Sequence, residues 1–91
     1  MSKLIVGNWK MNGLLADSRE RAEKLAAAVK SASIGFHMVL CPPATMINAV
    51  SWFSKDSPLS LGGQDCHDQP PGAFTGDIAP EMLKDLGCTY V

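Results

Sequence analysis

Apolar positions along the chain change period repeatedly, and each change predicts an element. Leu4, Ile5 and Val6 open a run that passes through Gly7 and Asn8 into Trp9-Lys10-Met11-Asn12-Gly13. Read with period two as a strand, it places Leu4, Val6, Asn8 and Lys10 on one face and Ile5, Gly7 and Trp9 on the other. The first face begins apolar and ends polar. Ala22, Leu25, Ala26 and Val29 then recur at helical spacing, and Asp17 with Glu20 three residues later resembles a capping box. That pattern breaks near Ser33 to Gly35. Phe36 to Cys41 reads as a second, largely buried strand, stopped by Pro42-Pro43, which cannot supply ladder donors. Thr45 to Phe53 predicts a second helix, with Met46, Val50 and Phe53 on its apolar side and Ile47 adjoining. Ser54 to Pro58 is a turn cluster and Leu59 to Gln64 a weaker third strand. A long Pro- and Gly-rich connection runs from Asp65 to Ile78. Pro80 suits the first turn of a third helix, with Met82, Leu83 and Leu86 as its apolar side and Gly87 just past its end. Cys88-Thr89-Tyr90-Val91 then starts a fourth strand.

Strands alternating with helices point to an α/β fold of parallel strands joined by right-handed helical crossovers. Crossovers of one hand and constant order put all three helices on the same face of the sheet. The other face, with Leu4 and Val6, needs its own cover, because parallel sheets are normally buried on both sides. A sheet closed on itself provides that cover and takes eight strand-helix units and about 250 residues. Residues 1–91 are therefore expected to form somewhat under half of one such barrel domain, the remainder of the barrel lying outside this chain.

Composition narrows the partners. The chain is 46% hydrophobic, and its eight Lys and Arg are interleaved with nine Asp and Glu for a net charge of -1. That balance removes the electrostatic case for nucleic acid or an acidic membrane surface. The opening apolar run meets Asn8 and Lys10 before a signal-peptide core forms, and no apolar stretch approaches the ~20 residues that span a bilayer. Cys41, Cys66 and Cys88 are odd in number and widely spaced, which suggests neither a disulfide framework nor a zinc site. A cytoplasmic, reducing location is expected.

Candidate chemistry centres on Asn8 and Lys10. If their face lines a closed sheet, both sit at the carboxyl end of the strand, where such sheets place ligands, and a cation beside an amide suits a small anionic substrate. A solvated turn explains the pair equally well on strand position alone. His37, alone within a strand, reads as a structural residue with a satisfied ring. Cys66 and His67 are neighbours in an extended segment and point apart, with no orienting carboxylate expected nearby, so the pair is read as inert. Arg19 with Glu23 and Glu20 with Lys24 are i, i+4 pairs on a solvated helix face. The long loop is read as functional, its alternative being a disordered connection.

Several blocks together carry a resemblance. Val6-Gly7-Asn8-Trp9-Lys10-Met11-Asn12-Gly13, Pro42-Pro43, Gln64, Gly72-Ala73-Phe74-Thr75-Gly76-Asp77-Ile78, Met82-Leu83-Lys84-Asp85 and Gly87 resemble the amino-terminal portion of triosephosphate isomerase, in order and spacing. The resemblance implies a partial (β/α)8 TIM barrel and a glycolytic and gluconeogenic isomerase. Such an enzyme interconverts dihydroxyacetone phosphate and glyceraldehyde 3-phosphate through an enediolate, without metal or organic cofactor. It further implies that Asn8 and Lys10 contact the triose phosphate and that Lys10 is catalytic. Met11, Phe74, Thr75 and Gly76 are implied to lie in a homodimer interface. Triosephosphate isomerase is itself a standard worked case of a Glu base paired with a neutral His electrophile and a closing loop, so those roles belong to the family. Both groups fall in family segments after Val91, and the chain alone is expected to be inactive. Asp65 stands where many relatives carry Asn, and His67 to Pro71 is not a family signature. A non-catalytic fragment that associates through open strand edges is the alternative. Another phosphate-handling barrel is weaker still, since no Gly-Lys-Ser/Thr phosphate loop is present.

Overall fold

A computed structural model describes residues 3–32 and 35–91. Its elements are β1 (Lys3–Asn8), α1 (Leu15–Ser31), β2 (Phe36–Cys41), α2 (Ala44–Phe53), β3 (Ser60–Leu61) and α3 (Pro80–Asp85). The strands form one parallel sheet in the order β1-β2-β3. Lys3 pairs with Phe36 through to Asn8 with Cys41, and Val39 and Leu40 pair with Ser60 and Leu61. Every element expected from the periodicities is present except a full fourth strand, which is a single parallel bridge from Gly62 to Tyr90. Thr89 N–H donates to Leu61 C=O at 2.9 Å and Gly63 N–H to Tyr90 C=O at 3.0 Å, so these residues lie in register beside β3. The expected break at Ser33 to Gly35 falls partly outside the described residues, as do Met1 and Ser2.

Three local expectations need correction. Asp17 is not the residue that opens α1. Gly13, at φ 122°, turns the chain, Leu14 is the extended N-cap, and Asp17 stands in the first turn with its carboxylate accepting the Leu14 N–H at 2.8 Å. Leucine has no side-chain acceptor, so only half of a capping box forms. In α2, Ile47 and Val50 are fully buried while Met46 and Phe53 are only partly so, which rotates the apolar face toward Ile47. The third strand is shorter than its sequence suggests. Ser60 and Leu61 are its residues, and the chain beyond them serves other contacts: Gly62 and Gly63 pair with the Tyr90 segment, and Gln64 reaches toward β1 and β2.

The core lies between sheet and helices. Trp9, Leu40 and Leu61 meet Ala22 of α1, Ile47 and Val50 of α2 and Leu83 of α3. Gly63 permits the last contact, since a Cβ there would sit 2.5 Å from a Leu83 methyl. Gly87, at φ 100°, follows the end of α3 as expected, in the left-handed conformation that glycine adopts without steric cost. The opposite face of β1 is bare: Leu4 and Val6 remain 50% and 51% exposed.

Candidate active site

That bare face lines a groove of about 320 Å³. Leu4, Val6 and Val39 supply its apolar walls, while Asn8, Cys41 and Gln64 stand at the carboxyl ends of the strands. Asn8 therefore lies where the period-two reading places it. Lys10 does not owe its position to that alternation: β1 ends at Asn8, and Lys10 has φ 56°, the one non-glycine with positive φ among the described residues. A side-chain-bearing residue in this region costs about 1–3 kcal/mol and persists only where surrounding bonds impose it.

Those bonds are identifiable. Lys10 N–H donates to Asn8 Oδ1 at 2.9 Å, and Lys10 C=O accepts from Gln64 Nε2 at 2.8 Å. The same Gln64 amide group donates to Cys41 C=O at 3.0 Å. One side chain beyond β3 thus ties the ends of β1 and β2 together. On either side of Lys10 the chain is also fixed: Trp9 is buried, its N–H bonds to Cys41 C=O at 3.1 Å, and Asn12 Nδ2 donates to Trp9 C=O at 3.0 Å. The Arg21 guanidinium lies 5.1 Å from the Trp9 ring centroid, within cation–π range. The Lys10 residue is exposed, and no salt bridge engages it among the described residues.

With its Oδ1 committed to the Lys10 backbone, Asn8 has its carboxamide N–H groups available as donors. Asn8 and Gln64 line the groove and together hold the backbone of Lys10, so an amide donor and a cation-bearing residue stand close in the chain, a pairing whose chemistry suits an anionic oxygen. Gln64 enters the sequence reading only as part of a motif, although the structure makes it the residue that holds Lys10. A polar residue at the carboxyl end of a parallel strand was the available signal.

Met11 is 95% exposed, and Phe74, Thr75 and Gly76 are exposed on the separate loop after β3. This loop contains no helix or strand, but it is tied: His67 N–H donates to Ile78 C=O at 2.7 Å, and Asp77 N–H to Phe74 C=O at 3.0 Å. Phe74 packs on the His67 ring. Carboxylates do stand near His67, contrary to the sequence reading, because the chain folds back and brings Asp77 beside it. Cys66 is an exposed free thiol. His37 is structural as expected, its Nε2 2.8 Å from Ser60 Oγ on β3. The Arg19–Glu23 and Lys24–Glu20 pairs form on the exposed face of α1, and Lys24 lowers the Glu20 carboxyl below its ordinary value. Among the described residues no group of three His, Cys, Asp or Glu comes together to hold a metal ion, and no helix is long and apolar enough to cross a membrane.

The family model for triosephosphate isomerase matches residues 3–91. The triosephosphate isomerase of Hyphomonas neptunium is 53% identical over 88 residues, which is 97% of this chain and 35% of that protein. The enzyme of the same name from Gluconacetobacter diazotrophicus is 45% identical over 91 residues, 100% of this chain and 37% of its own length. A crystal structure of triosephosphate isomerase from Bartonella henselae superposes with a TM-score of 0.81 at 35% identity, over 98% of this chain and 36% of that one. The chain spans roughly a third of the length of the curated relatives it matches. Its parallel sheet and helices are accordingly a partial (β/α)8 barrel. Matched along nearly all of its residues, the chain belongs to the triosephosphate isomerase family.

Proposed function

We propose that residues 1–91 supply the amino-terminal part of a single triosephosphate isomerase barrel, with Asn8 and Lys10 contacting the triose phosphate. The observation that carries this reading is the held left-handed backbone of Lys10, clamped by Asn8 and Gln64, both of which line the groove. Dihydroxyacetone phosphate and glyceraldehyde 3-phosphate interconvert by moving a proton between adjacent carbons, and negative charge develops on the enediolate oxygen. An ammonium about 4 Å from an anionic centre contributes up to roughly 4 kcal/mol at an effective dielectric of 20, before its own desolvation. Lys10 acts in this reading by electrostatic stabilisation and Asn8 by donating through its free amide. The proton-transferring carboxylate and the polarising imidazole belong to other parts of the family's barrel, so residues 1–91 by themselves are inert. No metal or organic cofactor takes part. Met11, Phe74, Thr75 and Gly76 form the contact between two copies of the complete cytoplasmic enzyme.

A second reading, a non-catalytic piece that works by association, is favoured by the apolar exposure of Leu4 and Val6. One experiment separates the two. Residues 1–91 are prepared alone and together with a separately supplied carboxyl-terminal part of a family member, and isomerase activity and solution mass are recorded. Activity only on mixing supports the isomerase. A stable, inert oligomer that ignores the added part supports association.

A further inference from the structure

The residues from Trp9 to Gly13 close into a small unit around one side chain. Trp9 is buried and belongs to the core cluster that holds Ala22 and Ile47. Asn12 Nδ2 donates to Trp9 C=O, and a Cβ on Gly13 would come 3.4 Å from Trp9 Cε3, so the last residue of the unit lies against the indole of the first. Lys10 stands inside it with its left-handed backbone. The Arg21 guanidinium, reaching from α1, lies 5.1 Å from the centroid of that same indole. Other charged side chains of α1 are committed to one another, Arg19 to Glu23 and Lys24 to Glu20, whereas no carboxylate forms a salt bridge with Arg21 among the described residues. Its planar cation is therefore left to the ring, an attraction that Arg makes through both charge and stacking. Arg21 is not among the residues that line the groove.

We propose that Arg21 is a positioning residue for Lys10, acting through the Trp9 ring. Asn8 and Gln64 fasten the Lys10 backbone to the strand ends, while Arg21 fastens the indole beside it to α1, a separate element. Held from both elements, the segment that carries the ammonium loses freedom to shift, and a stabilising charge is worth most when it is already in place as the negative charge develops. The inference rests on the reading of Lys10 as a substrate contact.

A double-mutant cycle in a complete barrel that contains this segment tests it, with steady-state kinetics recorded well below the melting temperature of every variant. Arg21→Gln alone is expected to lower kcat about two- to five-fold, the range of an exposed cation–π contact, and Arg21→Lys to recover part of that loss. With Lys10→Met already in place, Arg21→Gln should leave the residual turnover unchanged. A kcat unaltered by Arg21→Gln overturns the proposal. So does an equal loss in both backgrounds, which marks a general effect on the fold rather than one passed to Lys10. Turnover of Lys10→Met near that of the parent is a distinct result: it removes the substrate contact itself, and the positioning role falls with it whatever Arg21→Gln does.

Discussion

Lys10 joins a strained backbone to an exposed cation, and the two features make separable predictions. In a complete barrel that contains this segment, Lys10→Met removes the charge while keeping most of the stem; if the proposed reading holds, isomerase turnover falls by orders of magnitude with little change in melting temperature. Steady-state kinetics near those of the parent refute the assignment. Gln64→Ala deletes both bonds from the Gln64 amide, to Lys10 C=O and Cys41 C=O, and should cost about 1–3 kcal/mol in urea unfolding. The position of Asn8 is legible from the polar end of an otherwise apolar strand face, whereas Lys10 lies past the end of β1 in a left-handed conformation that alternation does not encode. Gln64 is legible only as a polar residue after a strand; its partners lie 54 and 23 residues away, and no local pattern encodes them. The cysteines divide as simply. Burial pushes the Cys41 and Cys88 thiols up, so both stay protonated beyond the usual thiol range, whereas Cys66 is exposed. Titration with a disulfide reagent at neutral pH should show one fast thiol and two that react only at the rate of opening.

Among elements, the strands and helices follow from periodicity because each buries one stripe against a neighbour. Phe36–Cys41 and Thr45–Phe53 are read almost to the residue, since Pro42-Pro43 marks the boundary between them. The start of α1 is misread by one turn, because acidic residues suit both the N-cap and the first turn and only the backbone at Gly13 decides between them. Packing at the end of β3 requires glycine at position 62. A Cβ on Gly62 would meet Cys41 Sγ at 2.8 Å and Tyr90 Cβ at 3.1 Å. Gly62→Ala should therefore destabilise by about 1–3 kcal/mol through overpacking, and Cys41→Ala in the same chain should return part of that loss. Equal destabilisation in the two backgrounds, read from denaturant midpoints, would show that the sulfur contact is not the cause.

At the scale of the whole molecule, two parallel strand pairings and a bridge leave one sheet face without cover, and Val6 makes that face testable. Val6→Lys should raise the monomeric fraction of residues 1–91 in sedimentation, while in the intact barrel the same change buries an unpaired ammonium and lowers stability by at least ~2 kcal/mol. Equal stability of the intact proteins would mean that Val6 does not face a closed interior. The need for such a closure is legible in the sequence, from three helices crossing on one side; the loop after β3 is not, because its tie between His67 and Ile78 depends on a fold-back that no periodicity announces. The Gln64 clasp bears on time as well as shape. During synthesis from the amino terminus, all three participants in it, Lys10, Cys41 and Gln64, have been polymerised before any later segment exists. The rim that the proposed reading assigns to the triose phosphate thus carries its own fastening, complete once residue 64 has left the ribosome.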